Sequence, residues 1–377
     1  MSKPFDVCIR GDGIVGRTLA LLLARERLRV ALVTRPPGDA AAPAAADGHT
    51  DVRAYALNKA SRQLLETLRV WPEAPFATPV LAMQVWGDDG GQLDFSARSV
   101  GEAALAWIVD VPALEQQLIQ ALRFQPQIET VQAPVAAALT VICEGQKSRS
   151  RDEFGPQGGA NWSVKPYPQK AIAARLELGK AHGGVARQWF GRGDILALLP
   201  LSGADGNSAA LVWSVSTERA AMLGNLPPQE FCDALQAVCG HETGTLKLIS
   251  ERASWPLALS NAQHWVGPGW ALAGDAAHTV HPLAGQGLNL GLADAAGLAQ
   301  VLAAREYWRG LGDERLLRRY ERARKADVAT MGTVTDGLHG LFAQTDGRWQ
   351  VLRNWGMKGF ARSPQLLSWV ARQAAGR

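Results

Sequence analysis

The chain has 377 residues, 20% charged and 47% hydrophobic. That length supports a large core and two domains more readily than one, and the composition is that of an ordinary globular protein. A net charge of +4 suits an anionic cofactor or a membrane surface, and it is too weak and too dispersed for nucleic acid.

The four cysteines, Cys8, Cys143, Cys232 and Cys239, form no CxxC pair. They read as reduced, buried thiols of a cytosolic protein. No apolar run reaches the ~18 residues of a membrane span. Arg10 and Asp12 interrupt the apolar N-terminal stretch, so a signal peptide is not expected and a cytoplasmic location is.

The predicted elements begin with a β-α-β unit. Val7 to Ile9 reads as a strand, Leu19 to Arg25 as a buried helix and Val30 to Val33 as a second strand. The Ala/Pro/Gly-rich segment from Pro36 to Asp47 reads as a loop. A helix is expected from Asn58 to Leu68, a hairpin from Val80–Trp86 and Gln92–Phe95, and a helix over residues 108–123. Leu139 to Cys143 is a short apolar run ending at Glu144-Gly145. Strands are expected at Ala171–Leu176, Ile195–Leu201 and Ala209–Val215, and a helix from Pro227 to Val238. The tail, with Trp349, Trp355, Phe360 and Trp369 among basic residues, reads either as a helical pair packed on its own domain or as an amphipathic membrane or partner helix.

Two glycine-bearing turns carry the chemistry. Gly11, Gly13 and Gly16 form G-x-G-x-x-G between the first strand and the first helix. Gly11 allows the tight turn, Gly13 lets a pyrophosphate approach backbone amides, and Gly16 lets helix and strand pack closely. The usual acidic ribose ligand at the end of the second strand is replaced by Thr34, an uncharged hydroxyl, and Arg35 follows as either a phosphate contact or a solvated side chain. Further on, Trp270–Ala273 ends at Gly274-Asp275, and after a Gly/Pro-rich turn a helix opens near Gly287. This sets a carboxylate beside a helix N-terminus at a sheet edge. Asp275, His278 and His281 have ligand-like spacing, but Pro282, Gly285 and Gly287 argue against a helix there. No metal is expected. Trp213, Leu199 and His281 are the candidates for the substrate pocket, with sheet core as the equal alternative for Trp213 and Leu199.

GDGIVG, Asp51-Val-Arg-Ala-Tyr-Ala-Leu57, Tyr167-Pro-Gln-Lys-Ala-Ile172, Trp255-Pro-Leu257, GDAAHTVHPLAGQGLNLGLAD and Tyr320-Glu-Arg-Ala-Arg-Lys325 occur in one order along the chain. In this the sequence resembles the FAD-dependent aromatic hydroxylases of the para-hydroxybenzoate-hydroxylase type, and among them the ubiquinone-biosynthesis hydroxylases. The resemblance implies an α/β fold. A Rossmann-like FAD-binding domain (1–75, 101–155 and 255–345) would be interrupted by an antiparallel-sheet substrate domain (76–100 and 160–254), with a C-terminal helical segment (346–377). It implies FAD, with NADPH or NADH as a transient reductant, molecular oxygen, and a phenolic, polyprenylated ring hydroxylated through a flavin hydroperoxide. Further partners would be other quinone-biosynthesis proteins or a membrane surface, with a place peripheral to the inner membrane. By the same resemblance Asp275 holds a ribitol hydroxyl and Arg53 faces the phosphates. Pro282, Gly285 and Gln286 face the flavin ring, and the amides near Gly287 and Leu288 point at its pyrimidine. The cofactor carries the hard step, so no side-chain nucleophile is required.

Some positions depart from the family pattern. Thr34 stands for a glutamate, Glu144 for an aspartate and Pro112 for an arginine. Arg10 sits in a usually apolar strand, and the 125–141 segment is short. These departures imply weaker contacts to FAD. They keep open a flavin-dependent reductase or other monooxygenase on the same fold, and a non-catalytic accessory subunit.

Overall fold

A computed structural model describes residues 4–34, 51–87, 91–148, 150–154, 162–191, 193–203, 205–279 and 287–343, with side chains as far as residue 329. Strand β1 (Phe5–Arg10) leads through the first glycine turn into helix α1 (Ile14–Arg25) and strand β2 (Val30–Val33), which pairs parallel with β1. Val7, Cys8, Ile9, Val30, Ala31 and Leu32 are all buried. Their continuous apolar character is what a parallel strand covered on both faces requires. Helix α1 starts at the glycine turn, five residues earlier than the apolar pattern announces.

Strand β3 (Ala54–Leu57) precedes helix α2 (Lys59–Thr67), whose N-cap Asn58 accepts the Ser61 amide at 2.9 Å. Strands β4 (Ala77–Val80), β5 (Ala82–Trp86) and β6 (Gln92–Ser96) follow, and β5 and β6 form the expected hairpin. The helix expected over 108–123 begins later. Residues Ala106–Asp110 are strand β7, and helix α3 runs from Val111 to Arg123. Trp107, Ile108 and Val109 favour a strand. The Asp110 carboxylate then accepts the Ala113 amide, and Pro112 stands in the first turn, where its missing N–H costs nothing.

Strand β8 (Ile128–Val131) lies inside the short 125–141 segment and pairs parallel with β2, while strand β9 (Ala137–Ile142) pairs parallel with β1. Strand β10 (Trp162–Leu178) shifts register between Pro166 and Lys170, where prolines interrupt the ladder. It is followed by β11 (Val185–Gly191), β12 (Asp194–Leu201) and β13 (Ser208–Ser216), then helices α4 (Thr217–Asn225) and α5 (Pro228–Cys239). Strands β14 (Leu246–Leu248), β15 (Ala253–Ala262), β16 (Val266–Gly267), β17 (Trp270–Leu272) and β18 (His278–Thr279) precede helices α6 (Gly287–Ala303) and α7 (Glu314–Ala343).

The described residues form three sheets. The first has the order β16-β17-β9-β1-β2-β8, and all its pairings are parallel except β16 with β17. The second runs β18-β15-β10-β13-β12-β11-β5-β6, with β14 beside β10. The third is β3-β7-β4. Strand alternation sorts the second sheet into two faces. Ile172, Leu196, Leu198, Leu211 and Trp213 pack with Phe231 and Leu235 of α5. Leu199, Leu201 and Ala210 pack with Val80 and Ile108 of the third sheet. The second sheet is thus covered by helices on one side and by the third sheet on the other.

Candidate active site

The carboxyl ends of β1, β2, β9 and β17 gather at one edge of the first sheet. The Gly11 amide donates to Val33 O at 3.3 Å, the Cys143 amide to Arg10 O at 2.7 Å, and the Ala273 amide to Ile142 O at 3.0 Å. Gly11 has φ +112°, and a β-carbon there would stand 2.6 Å from the Cys143 carbonyl. A β-carbon on Gly16 would meet Gly11 O at 2.0 Å. Gly13 is the opposite case: it is exposed, with nothing within 4 Å of its β-carbon position. Two glycines are therefore demanded by protein packing, and the third keeps clear a space the protein does not fill.

The second turn meets the first. Val15 Cγ2 lies 3.3 Å from the β-carbon position of Gly274 and 2.7 Å from that of Gly291. Helix α6 packs on α1 through this contact. Asp294, fully buried on α6, fixes the turn itself. One of its carboxylate oxygens accepts the Gly274 amide at 2.9 Å and faces His278 Nε2 at 2.7 Å; the other accepts Arg324 Nε at 2.8 Å. Burial alone would raise the pKa of this carboxyl, but the neighbouring His278 and Arg324 outweigh burial and lower it. His278 stacks on Trp265, 4.8 Å between ring centroids, and Tyr320 donates to Leu272 O at 2.8 Å.

The Asp275 carboxylate, held by this frame, is open to solvent. Enough protein still surrounds it that desolvation raises its pKa, with His278 opposing and Asp294 adding to the rise. Asn289, buried at the start of α6, ties that helix to the third sheet. Its side-chain oxygen accepts the Asn58 amide at 3.0 Å and Ser61 Oγ at 2.7 Å, and its nitrogen donates to Ala56 O at 2.8 Å.

Arg53 precedes β3 and binds Asp51 with Nε at 2.9 Å and Nη2 at 2.5 Å; Glu115 lies 3.9 Å away. Burial opposes the charge on Arg53, but the Asp51 bonds prevail and raise its pKa, while the same bonds lower that of Asp51 against burial. Arg175 of β10 holds the adjoining chain by donating to Val52 O at 3.0 Å and Arg53 O at 3.1 Å, and it pairs with Asp110 at 2.7 Å. Thr34 is half-buried at the end of β2, with Gln132 Nε2 3.4 Å from its hydroxyl. Glu144, next to Gly11, is taken up by its own loop through Ser148 Oγ at 2.7 Å and Ser150 Oγ at 2.6 Å.

Of the residues predicted for the cofactor, Gly11, Gly13, Gly16 and Thr34 stand at the first turn and Asp275, Gly287 and Leu288 at the second and the helix after it, while Arg53 stands apart, bound to Asp51 ahead of β3. The substrate trio does not assemble in the same way. Leu196 and Trp213 are cross-strand partners, as are Leu199 and Ala210. This sets Trp213 on the helix-covered face, 0% exposed, and Leu199 on the other. Trp213 is sheet core, because adjacent positions on a strand point to opposite faces. His281, Pro282, Gly285, Gln286, Arg35 and the 346–377 segment lie outside the described residues. Asp294, Arg324, Tyr320 and Asn289 were missed as frame residues. All four lie within matched motifs, but nothing in their spacing announces a partner across the fold.

The geometry fits FAD. Gly13 leaves room for a pyrophosphate at the start of α1, Asp275 offers an acceptor to hydroxyls in the cleft, and Arg17 Nη1, in the first turns of α1, is buried without a partner among the described residues. The family model of the FAD binding domain matches residues 96–334. Along its whole length the chain is 30% identical to 3-demethoxyubiquinol 3-hydroxylase of Escherichia coli, covering 99% of that protein. This chain belongs to the FAD-dependent aromatic hydroxylases of the ubiquinone-biosynthesis type. The same family contains the ubiquinone hydroxylase UbiL of Rhodospirillum rubrum, 30% identical over 99% of this chain and 90% of that one. Among solved structures, PqsL of Pseudomonas aeruginosa superposes with a TM-score of 0.74 at 22% identity, covering 94% of this chain and 99% of that one. The p-nitrophenol 4-monooxygenase PnpA of Pseudomonas putida superposes with the same score at 16% identity over the full length of both. At those identities they show the fold alone. The hydroxylase is an FAD-dependent monooxygenase of α/β fold.

Proposed function

We propose that this hydroxylase adds oxygen to a phenolic, polyprenylated ring in ubiquinone biosynthesis, working peripherally at the inner membrane or with other proteins of that pathway. The observation that supports the cofactor half of this reading is the contact of Val15 with Gly274 and Gly291, which brings two distant glycine turns together. The substrate half rests on the names of the full-length relatives. Bound FAD, reduced by NADPH or NADH, supplies oxygen activation and hydroxyl transfer.

The chain's own residues bind and orient. Gly11, Gly13 and Gly16 would bring the α1 amides to the pyrophosphate, Thr34 would meet the ribose, and Arg53, held by Asp51, would face the phosphates. Asp275 accepts a ribitol hydroxyl. Pro282, Gly285 and Gln286 would border the ring, and the amides at Gly287 and Leu288 would favour negative charge on the pyrimidine. Leu199, on the sheet face packed against the third sheet, and His281 would border the substrate.

The test is turnover by purified protein given FAD, NADPH and a prenylated phenol. The reading requires substrate-stimulated NADPH oxidation, matching oxygen consumption and a product one oxygen heavier. NADPH oxidation with no oxygen consumed would instead establish a reductase.

A further inference from the structure

Helices α6 and α7 are joined by a short loop carrying Tyr307 and Trp308, which are 94% and 67% exposed. The two rings meet edge-on with centroids 4.9 Å apart. The loop that presents them is braced from below. Leu311 is buried in the core, the Gly269 amide donates to Gly312 O at 2.9 Å, Arg309 pairs with Asp313 at 3.0 Å, and Arg319 of α7 reaches back to Glu306 at 2.6 Å. The pair is therefore a fixed, convex apolar knob.

Its surroundings are basic. Apart from Arg324, which is buried against Asp294, residues 305–325 hold seven Arg or Lys (Arg305, Arg309, Arg315, Arg318, Arg319, Arg322 and Lys325) and four acids (Glu306, Asp313, Glu314 and Glu321). Among the described residues, exposed Arg315 and Arg322 have no acidic partner.

We infer that this knob is a docking element for the surface of an anionic phospholipid bilayer. Tyr and Trp have apolar bodies and polar tips, which suits the boundary between headgroups and acyl chains. Unpaired arginines beside them gain from the negative potential of such a surface. The shape also decides between partners. A protein interface presents a broad, complementary patch, whereas two rings on a convex turn are suited to insertion. The loop packs against Ala138 and Gly269, at the amino ends of β9 and β17, and the glycine turns lie at the opposite, carboxyl ends. Docking therefore leaves the cleft open.

The inference deepens the peripheral-membrane part of the proposed function. Because vesicle binding is read without turnover, its failure leaves the hydroxylase reading standing. The experiment is flotation of the full chain with vesicles of equimolar phosphatidylcholine and phosphatidylglycerol, alongside vesicles of phosphatidylcholine alone. Wild type is expected to float with the anionic vesicles and to be released by salt. Tyr307→Ser with Trp308→Ser should lower partitioning about tenfold, and Arg315→Gln with Arg322→Gln several-fold, with unfolding temperature unchanged in both. The inference is overturned if wild type does not float, or if loss of both aromatics leaves flotation intact. It is equally overturned if sedimentation shows a dimer that Trp308→Ser dissociates, since the knob would then cover a second copy.

Discussion

A β-carbon on Gly291 would stand 2.7 Å from Cγ2 of Val15. The helix behind the first glycine turn and the helix behind the second meet where only glycine leaves room. Val15 is β-branched and stiff in a helix, so it does not swing away cheaply. Gly291→Ala gains about 1 kcal/mol of helix propensity and loses about 1–3 kcal/mol to the clash. A lower unfolding temperature is expected. Adding Val15→Ala should give less than the summed effect of the two single changes, with a coupling of about 1 kcal/mol in urea unfolding.

Gly13 and Gly16 are three residues apart in one motif, yet they should fail differently. Gly16→Ala drives a β-carbon to 2.0 Å from the Gly11 carbonyl, which is backbone and cannot yield. A stability loss of about 1–3 kcal/mol or more is expected. Gly13→Ala meets no protein atom within 4 Å and has φ −74°. It should leave apoprotein stability nearly unchanged while weakening FAD binding at least several-fold, as read by flavin fluorescence titration.

Asp275 is an acid whose pKa is raised in the folded protein, chiefly by desolvation. The fold disfavours its charged form, so its effect on stability worsens as pH rises through the raised value. Asp275→Asn should therefore leave the apoprotein at least as stable as wild type at neutral pH, with the advantage vanishing in acid. The same variant, and Asp275→Ala, should lose flavin occupancy. Full flavin retention by purified Asp275→Ala would remove the carboxylate from the proposed site.

Asp294 has the opposite sign. Its carboxyl is buried and its pKa is held down, against burial, by His278 and Arg324. Its contribution is present in full above the unfolded value of about 4 and fades as pH falls through the lower folded value. Asp294→Ala leaves a buried guanidinium and the Gly274 amide without their acceptor, and a loss of about 3–5 kcal/mol is expected. Asp294→Asn keeps an acceptor for one of them and should be milder. Urea unfolding across an acidic pH series checks both the size and the direction.

Local chemistry made much of this protein legible in its residues alone. An apolar strand running into G-x-G-x-x-G and a buried helix has one common physical use. An apolar run that stops at Gly274-Asp275 before a helix places a carboxylate at a sheet edge whatever the rest of the chain does. The parallel unit, the β5–β6 hairpin and the buried cysteines follow from pattern in the same way. Where two patterns overlapped, local reading slipped: Ala106–Asp110 is strand because β3 and β4 are there to pair with it.

Only the tertiary structure decided which far-separated residues share a contact. Asp294 and Arg324 look like ordinary charges on helices until folding buries them together under Gly274. Trp213 and Leu199 look like neighbours on facing strands until the pleat sends them to opposite sides of a sheet. Tyr307 and Trp308 read as two more aromatics until Leu311 and Gly312 anchor the turn that lifts them into solvent. Propensity and capping act between residues close in sequence, and a chain can display them in a line. Burial, ion pairing across helices and exposure are properties of distance in three dimensions, which exist only once the sheets have closed on one another.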